Sequence, residues 1–112
     1  MAAVRPQELM SALSQHPAPF VVDVRSREEF VGGSIPGARN LPWSDELADA
    51  LARELPRDAR IVFVCAWGHR SVVASIAMRR HGFRHVGFLE GGLEAWGLAG
   101  QPLGSGDSAS RQ

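Results

Sequence analysis

Seven consecutive residues, Cys65 to Ser71, bring together a thiol, an aromatic ring, a glycine, an imidazole, a guanidinium and a hydroxyl: Cys65, Ala66, Trp67, Gly68, His69, Arg70 and Ser71. The apolar run Ile61 to Val64 leads directly into Cys65, and a helical stretch opens at Ser71, so the thiol sits at a strand end and residues 66 to 70 form a loop. A short loop wrapped round the sulfur aims successive backbone N–H groups and the positive helix end at it, making an anion-binding nest. Such a nest favours the nucleophilic thiolate over the thiol. Arg70 adds a positive charge, and Gly68 suits a sharp turn or an N–H exposed to a ligand, because no Cβ obstructs positive φ. His69 either assists anion binding and proton transfer or is a solvated loop side chain, the commoner condition. Cys65 and His69 supply only two potential metal ligands, too few for a closed zinc site. A free cysteine at a strand end is often just a small buried hydrophobe, but the Gly/Arg loop and the helix start beside it weigh toward a functional thiol.

The rest of the composition narrows the chemistry. The 112 residues suit one domain, read as residues 1–103, with the polar segment GSGDSASRQ (104–112) as a disordered tail. Lys+Arg and Asp+Glu are 12 each, so no overall field draws in nucleic acid or an anionic membrane. All the basic residues but histidine are arginine, which removes Schiff-base and P-loop lysine chemistry. Cys65 is the single cysteine, which excludes an internal disulfide, a CxxC pair and a multi-cysteine zinc site. No stretch approaches the ~18 apolar residues of a membrane span, and Arg5 and Pro6 interrupt the N-terminus before any apolar run. A reduced cytoplasmic setting is the expectation.

The elements that must position the loop follow from periodicity. Pro6 to Leu13 reads as a helix with Leu9, Met10 and Leu13 on one face. Phe20 to Val24 (FVVDV) is a strand buried on both faces, the pattern of parallel sheets, with Asp23 an acid inside it. Ser26 and Glu29 form a capping box for a short helix that Gly32 and Gly33 end. Residues 35 to 42 are a turn feeding a short extended segment. A helix opens near Ser44 and carries Leu47, Ala50, Leu51 and Leu55 until Pro56. After the strand Ile61 to Val64, the helix from Ser71 is read with Val72, Val73, Ile76 and Ala77 as its buried face and Gly82 as its stop. A third strand covers Val86 to Leu89, and a last short helix lies around Leu93 to Trp96, with Trp96 in the core. Strands alternating with helices imply an α/β sandwich with a mostly parallel sheet, whose ligand site lies at the C-terminal strand ends, where Cys65 and Arg25 fall.

Four motifs together resemble the rhodanese family of sulfurtransferases in its small single-domain form: FVVDVRSREEF, GGSIPGARNLP, IVFVCAWGHRS, and GFRHVGFLEGGLEAW with Gly100, Gln101 and Pro102. The resemblance runs from about Pro6 to Leu103. It implies a three-layer α/β/α sandwich with a central, mostly parallel sheet of four or five strands. It also implies that Cys65 takes a sulfane sulfur from a donor such as thiosulfate and passes it, as a persulfide, to cyanide, a thiol or a partner protein's cysteine, with no metal or organic cofactor. By the same resemblance Arg70 serves the loop and the donor anion, Ala66, Trp67, Gly68, His69 and Ser71 make up the substrate loop, and Asp23 and Arg25 brace the pocket wall. Ser34 stands where the family usually has histidine. Ala66 stands where thiosulfate users often have a basic residue, so this pocket is less positive. Trp67 either forms an apolar rim for a larger thiol or a protein partner, or packs against its own domain.

Two other readings use the same scaffold. One is a binding module that recognises a partner through the Cys65 loop or Trp67 without turnover. The other is phosphatase or arsenate-reductase chemistry, against which loop length speaks: such phosphatases place five residues between cysteine and arginine, whereas four separate Cys65 from Arg70.

Overall fold

The computed structural model describes residues 3–104. Five strands, β1 (Ala3–Val4), β2 (Phe20–Asp23), β3 (Arg39–Asn40), β4 (Arg60–Val64) and β5 (His85–Leu89), form one sheet in the order β1-β5-β4-β2-β3. All four pairings are parallel. The helices α1 (Pro6–Leu13), α2 (Arg27–Val31), α3 (Asp45–Glu54), α4 (His69–Arg80) and α5 (Gly92–Leu98) cover both faces, giving the three-layer α/β/α sandwich expected from the motifs.

The side-chain period of two divides β4 between two cores. Val62 and Val64 face Leu9 of α1, Phe30 of α2 and Leu93 and Trp96 of α5. Ile61 and Phe63 face Leu51 of α3 and Ala74 and Met78 of α4, and Cys65 continues that same row. The strand therefore delivers the sulfur to the α4 side of the sheet, at the end where α4 begins. Being central and parallel, β4 has no solvated face, which is why its sequence reads as an unbroken apolar run.

Several boundaries differ from the sequence reading. β1 was not expected; two residues are too few to carry a periodic signal, yet Ala3 and Val4 pair with Phe88 and Leu89, and Glu90 N–H donates to the Val4 carbonyl at 2.8 Å. β2 ends at Asp23, although Val24 N–H still reaches the Val64 carbonyl at 3.0 Å, and Phe20 at its start is 49% exposed. The larger correction is α4. It starts at His69, not Ser71, and it buries Ser71, Ala74, Ser75 and Met78, whereas Val73 and Ile76 are 55% and 45% exposed. Small residues at helical spacing let α4 lie close on the sheet, and counting apolar residues picked the wrong face. α3 follows its expected course, with the Ser44 hydroxyl capping Leu47 N–H at 3.0 Å. Gly104, expected as the first residue of the tail 104–112, instead pairs with Ser34 in an isolated antiparallel bridge, and the rest of that tail, 105–112, lies outside the described residues.

Phe30 anchors α2, the shortest helix, to the sheet and is fully buried. Phe30→Ala is expected to lower the unfolding free energy by about 3–5 kcal/mol, measured by chemical denaturation; a loss below ~1 kcal/mol would mean that α2 is not held through this side chain.

Candidate active site

Cys65 is 1% exposed, and its sulfur sits inside the turn that links β4 to α4. Gly68 caps α4 with φ of 109°, a left-handed conformation that spares glycine the Cβ clash, and its N–H donates to Sγ at 3.0 Å. The Ser71 hydroxyl lies 3.4 Å from Sγ and 3.1 Å from the Gly68 carbonyl, so its one proton serves either acceptor. With a thiol, Ser71 donates to Gly68 and receives from Cys65. With a thiolate, the hydroxyl turns to the sulfur and joins Gly68 N–H in holding the charge.

The other side of this turn is fixed by α5. Leu93 N–H donates to the Cys65 carbonyl at 2.9 Å and Glu94 N–H to the Ala66 carbonyl at 3.1 Å. Peptide units are planar and trans, so carbonyls turned toward α5 send the N–H groups of Ala66 and Trp67 the opposite way. Neither of those N–H groups has a hydrogen-bond partner among the described residues. The approach of α5 is possible because Gly92 has no side chain: a Cβ there, at φ of +66°, would lie 2.4 Å from the Ala66 carbonyl oxygen and 2.6 Å from that of Cys65.

Asp23 and Arg25, read as bracing the pocket wall, form a closed buried pair. Arg25 Nε lies 3.0 and 3.1 Å from the two Asp23 carboxylate oxygens, and Nη2 lies 2.8 Å from Oδ2. Arg25 Nη2 also donates to the Gly33 carbonyl at 2.7 Å, and the Ser34 hydroxyl donates to Asp23 Oδ2 at 2.7 Å. Asn40 Nδ2 reaches the Asp23 and Arg25 carbonyls at 3.2 and 2.9 Å. The buried carboxylate thus has its lone pairs satisfied, as burial of a charge demands. Ser34 and Asn40 were not read as part of this brace; side chains 11 and 17 residues from Asp23 carry no local signal of the contact.

Arg70 stands beside the loop as expected, but with a partner the sequence did not announce. Its Nη1 and Nη2 pair with Glu29 Oε1 and Oε2 at 2.9 and 3.1 Å, a two-pronged contact between residues 41 apart. Glu29 also fills its expected capping role, accepting from Ser26 N–H and the Ser26 hydroxyl at 3.1 Å each. The guanidinium hydrogen bonds hold the Glu29 carboxyl down at about 2, with Ser26 adding to the effect against the cost of burial. Arg70 is raised above its ordinary value, first by the Glu29 hydrogen bonds and further by the charges of Glu29, Cys65 and Asp23. Arg70 directly precedes Ser71, whose hydroxyl touches Sγ, so the guanidinium rides on the same first turn of α4 that holds the thiol.

Of the remaining loop residues, Ala66 is half-buried and His69 is exposed at the start of α4. Trp67 is 67% exposed, so it is rim and not core; with Gly68, His69, Val72, Val73, Phe88 and Gly91 it lines an open, mainly apolar groove beside the loop. Trp96 is fully buried, its indole N–H donating to the Pro102 carbonyl at 2.8 Å. No group of three or more His, Cys, Asp or Glu side chains gathers as a metal site among the described residues.

Comparison with known proteins agrees with this geometry. The family model described as "Rhodanese-like domain" matches residues 5–99. The chain is 47% identical over 88 residues to an HTH-type transcriptional regulator of Mycobacterium tuberculosis, covering 77% of this chain but 38% of the regulator's length. It is 34% identical to the thiosulfate sulfurtransferase GlpE of Pseudomonas putida, covering 81% of each. The solution structure of a rhodanese-like domain from Anabaena superposes with a TM-score of 0.81 at 31% identity, covering 94% of this chain and 80% of that one.

Two outcomes follow from the contacts around the thiol. Gly92→Ala must push the turn off α5, so both the unfolding free energy and the rate of Cys65 alkylation by iodoacetamide are expected to change; Gly97→Ala, where an added Cβ meets nothing within 4 Å, is expected to do neither harm. A depressed Glu29 pKa contributes stability that is present above the unfolded value of 4.5 and lost as pH falls through about 2. Between those pH values wild type is therefore expected to lose stability relative to Glu29→Gln in thermal unfolding, and parallel pH curves would contradict the pairing.

Proposed function

The chain belongs to the rhodanese-like domain family, and on that premise we propose that it is a sulfurtransferase carrying a sulfane sulfur as a persulfide on Cys65. The observation that carries this reading is the environment of the sulfur: Sγ held by Gly68 N–H at 3.0 Å in a turn whose Cys65 and Ala66 carbonyls are both drawn away by α5. In the first step the Cys65 thiolate attacks the outer sulfur of a donor such as thiosulfate. The donor S–S bond breaks, sulfite leaves with the electron pair, and Cys65 retains the outer sulfur as a persulfide anion. The inward N–H groups stabilise first the donor's charge and then that of the terminal sulfur. In the second step an acceptor nucleophile attacks the terminal sulfur, and Cys65 leaves as thiolate.

Neither step consumes an oxidant, a metal or an organic cofactor. Cys65 is the single cysteine, so the acceptor comes from outside the chain: cyanide, a small thiol or a partner protein's cysteine. A thiol that must remain free suits a reducing, cytoplasmic setting, and no helix among the described residues is long and apolar enough to cross a membrane. The four-residue spacing from Cys65 to Arg70 favours sulfur over a phosphoryl group at the centre of the turn.

Incubation with thiosulfate is expected to add one sulfur atom to the intact mass, releasable by cyanide, and Cys65→Ser is expected to gain none. Failure of the wild type to take up sulfur from any of several donors would sink catalytic transfer. Capture of a partner that survives Cys65→Ser unchanged would favour a binding module instead, and turnover of a phenyl phosphate abolished by Cys65→Ser would favour phosphatase chemistry.

A further inference from the structure

The two arginines of the site each carry their own carboxylate. Arg25 is closed on Asp23 in the wall, and Arg70 is held at both terminal nitrogens by Glu29. The loop adds no basic side chain at Ala66 or Trp67. Glu29 is also held from behind by Ser26, whose N–H and hydroxyl both donate to Oε1 at 3.1 Å, so swinging the carboxylate away costs these two bonds as well. An anion approaching the mouth therefore meets an ion pair and not a lone guanidinium, even though Arg70 and Glu29 are 44% and 38% exposed.

We propose that Glu29 is a positioning residue that sets the charge selectivity of the Cys65 site: by cancelling Arg70 it makes a singly charged alkyl or aryl persulfide, R–S–S⁻, a better sulfur donor than doubly charged thiosulfate. The substrate class rests on the sulfurtransferase reading above. In that transfer the Cys65 thiolate attacks the outer sulfur of R–S–S⁻, the bond between the two donor sulfurs breaks, and R–S⁻ leaves with the electron pair. Cys65 keeps the outer sulfur as the persulfide anion Cys65–S–S⁻, so two negative charges stand on each side and the atoms balance. The N–H groups of the turn meet the one charge on the transferred sulfur, and the other departs with R–S⁻. Thiosulfate brings a second charge that Arg70 would have to meet, and Arg70 is already engaged.

Glu29→Gln tests this, because the amide keeps the shape of the side chain and a hydrogen-bond acceptor for Ser26 and Arg70 while removing the charge. The KM for thiosulfate is expected to fall by about three- to tenfold with kcat little changed, while the KM for singly charged benzyl persulfide falls by less. Adding Arg70→Gln should erase the gain, since it acts through that guanidinium. A readout without turnover is the rate of Cys65 alkylation by anionic iodoacetate divided by that by neutral iodoacetamide, which should rise in Glu29→Gln by a similar factor. If wild type accepts sulfur from no donor, the substrate class falls with the transfer reading, and the alkylation ratio still decides whether Glu29 cancels Arg70. An unmoved ratio, or a thiosulfate KM that is unchanged or higher in Glu29→Gln, overturns the inference. The wild type alone gives a second check independent of how the variant folds: its iodoacetate rate should vary little with salt, and a steep loss at high salt would mean that Arg70 acts as a free cation.

Discussion

The orientation of two peptide units governs this molecule's chemistry. Unless the carbonyls of Cys65 and Ala66 point at α5, the turn presents oxygen lone pairs to its own sulfur and becomes a poor place for negative charge. Leu93 and Glu94 N–H groups hold those carbonyls at 2.9 and 3.1 Å, and glycine at 92 is what lets the helix come that near. The cost of the arrangement falls on conformation: Gly68, Gly91 and Gly92 all adopt positive φ, a geometry unfavourable for any residue with a Cβ. Three left-handed glycines within one contact region therefore belong to a single constraint, the need to bring the start of α5 against the back of the turn.

Much of the sheet exists to aim that turn. Because β4 is central and its side chains alternate, Cys65 must continue the row of Ile61 and Phe63 and cannot face the α5 core. A slip of one residue in the register Asp23 to Val64 would put the sulfur on the other face, away from the start of α4. The buried Asp23–Arg25 pair stands next to this register and ties it to Gly33, Ser34 and Asn40. A pair so enclosed adds little net stability after desolvation, but removing one member would strand the other charge, so it acts as a lock on geometry.

The fold and the loop round Cys65 were legible because they are local. The run IVFV followed by a cysteine and a glycine-arginine loop is contained in a few residues, and so are the capping box of Ser26 and Glu29 and the break at Pro56. What escaped the sequence lies in contacts between distant segments. Glu29 was visible as a cap, but its grip on Arg70, 41 residues away, depends on how α2 is laid across the sheet. Likewise the Gly91-Gly92 pair reads as a turn, whereas its second function, making room for two carbonyls of another loop, has no trace in spacing. The buried face of α4 was misread for a related reason: burial there follows closeness to the sheet, which favours Ser71, Ala74 and Ser75, and not hydrophobicity.

The size of the turn constrains what can occupy its centre. Gly68 N–H lies 3.0 Å from Sγ, so that donor is already taken by the cysteine sulfur itself. A tetrahedral group would have to sit outside that ring, on the Arg70 side, where Glu29 supplies negative charge and the guanidinium is spoken for. A single additional sulfur needs much less: one more soft atom of modest charge above Sγ, within reach of N–H groups that Ala66 and Trp67 keep free of other partners. The same two features, a turn closed tightly on its sulfur and an arginine neutralised from α2, therefore weigh in the same direction, toward a small, weakly charged guest on the cysteine.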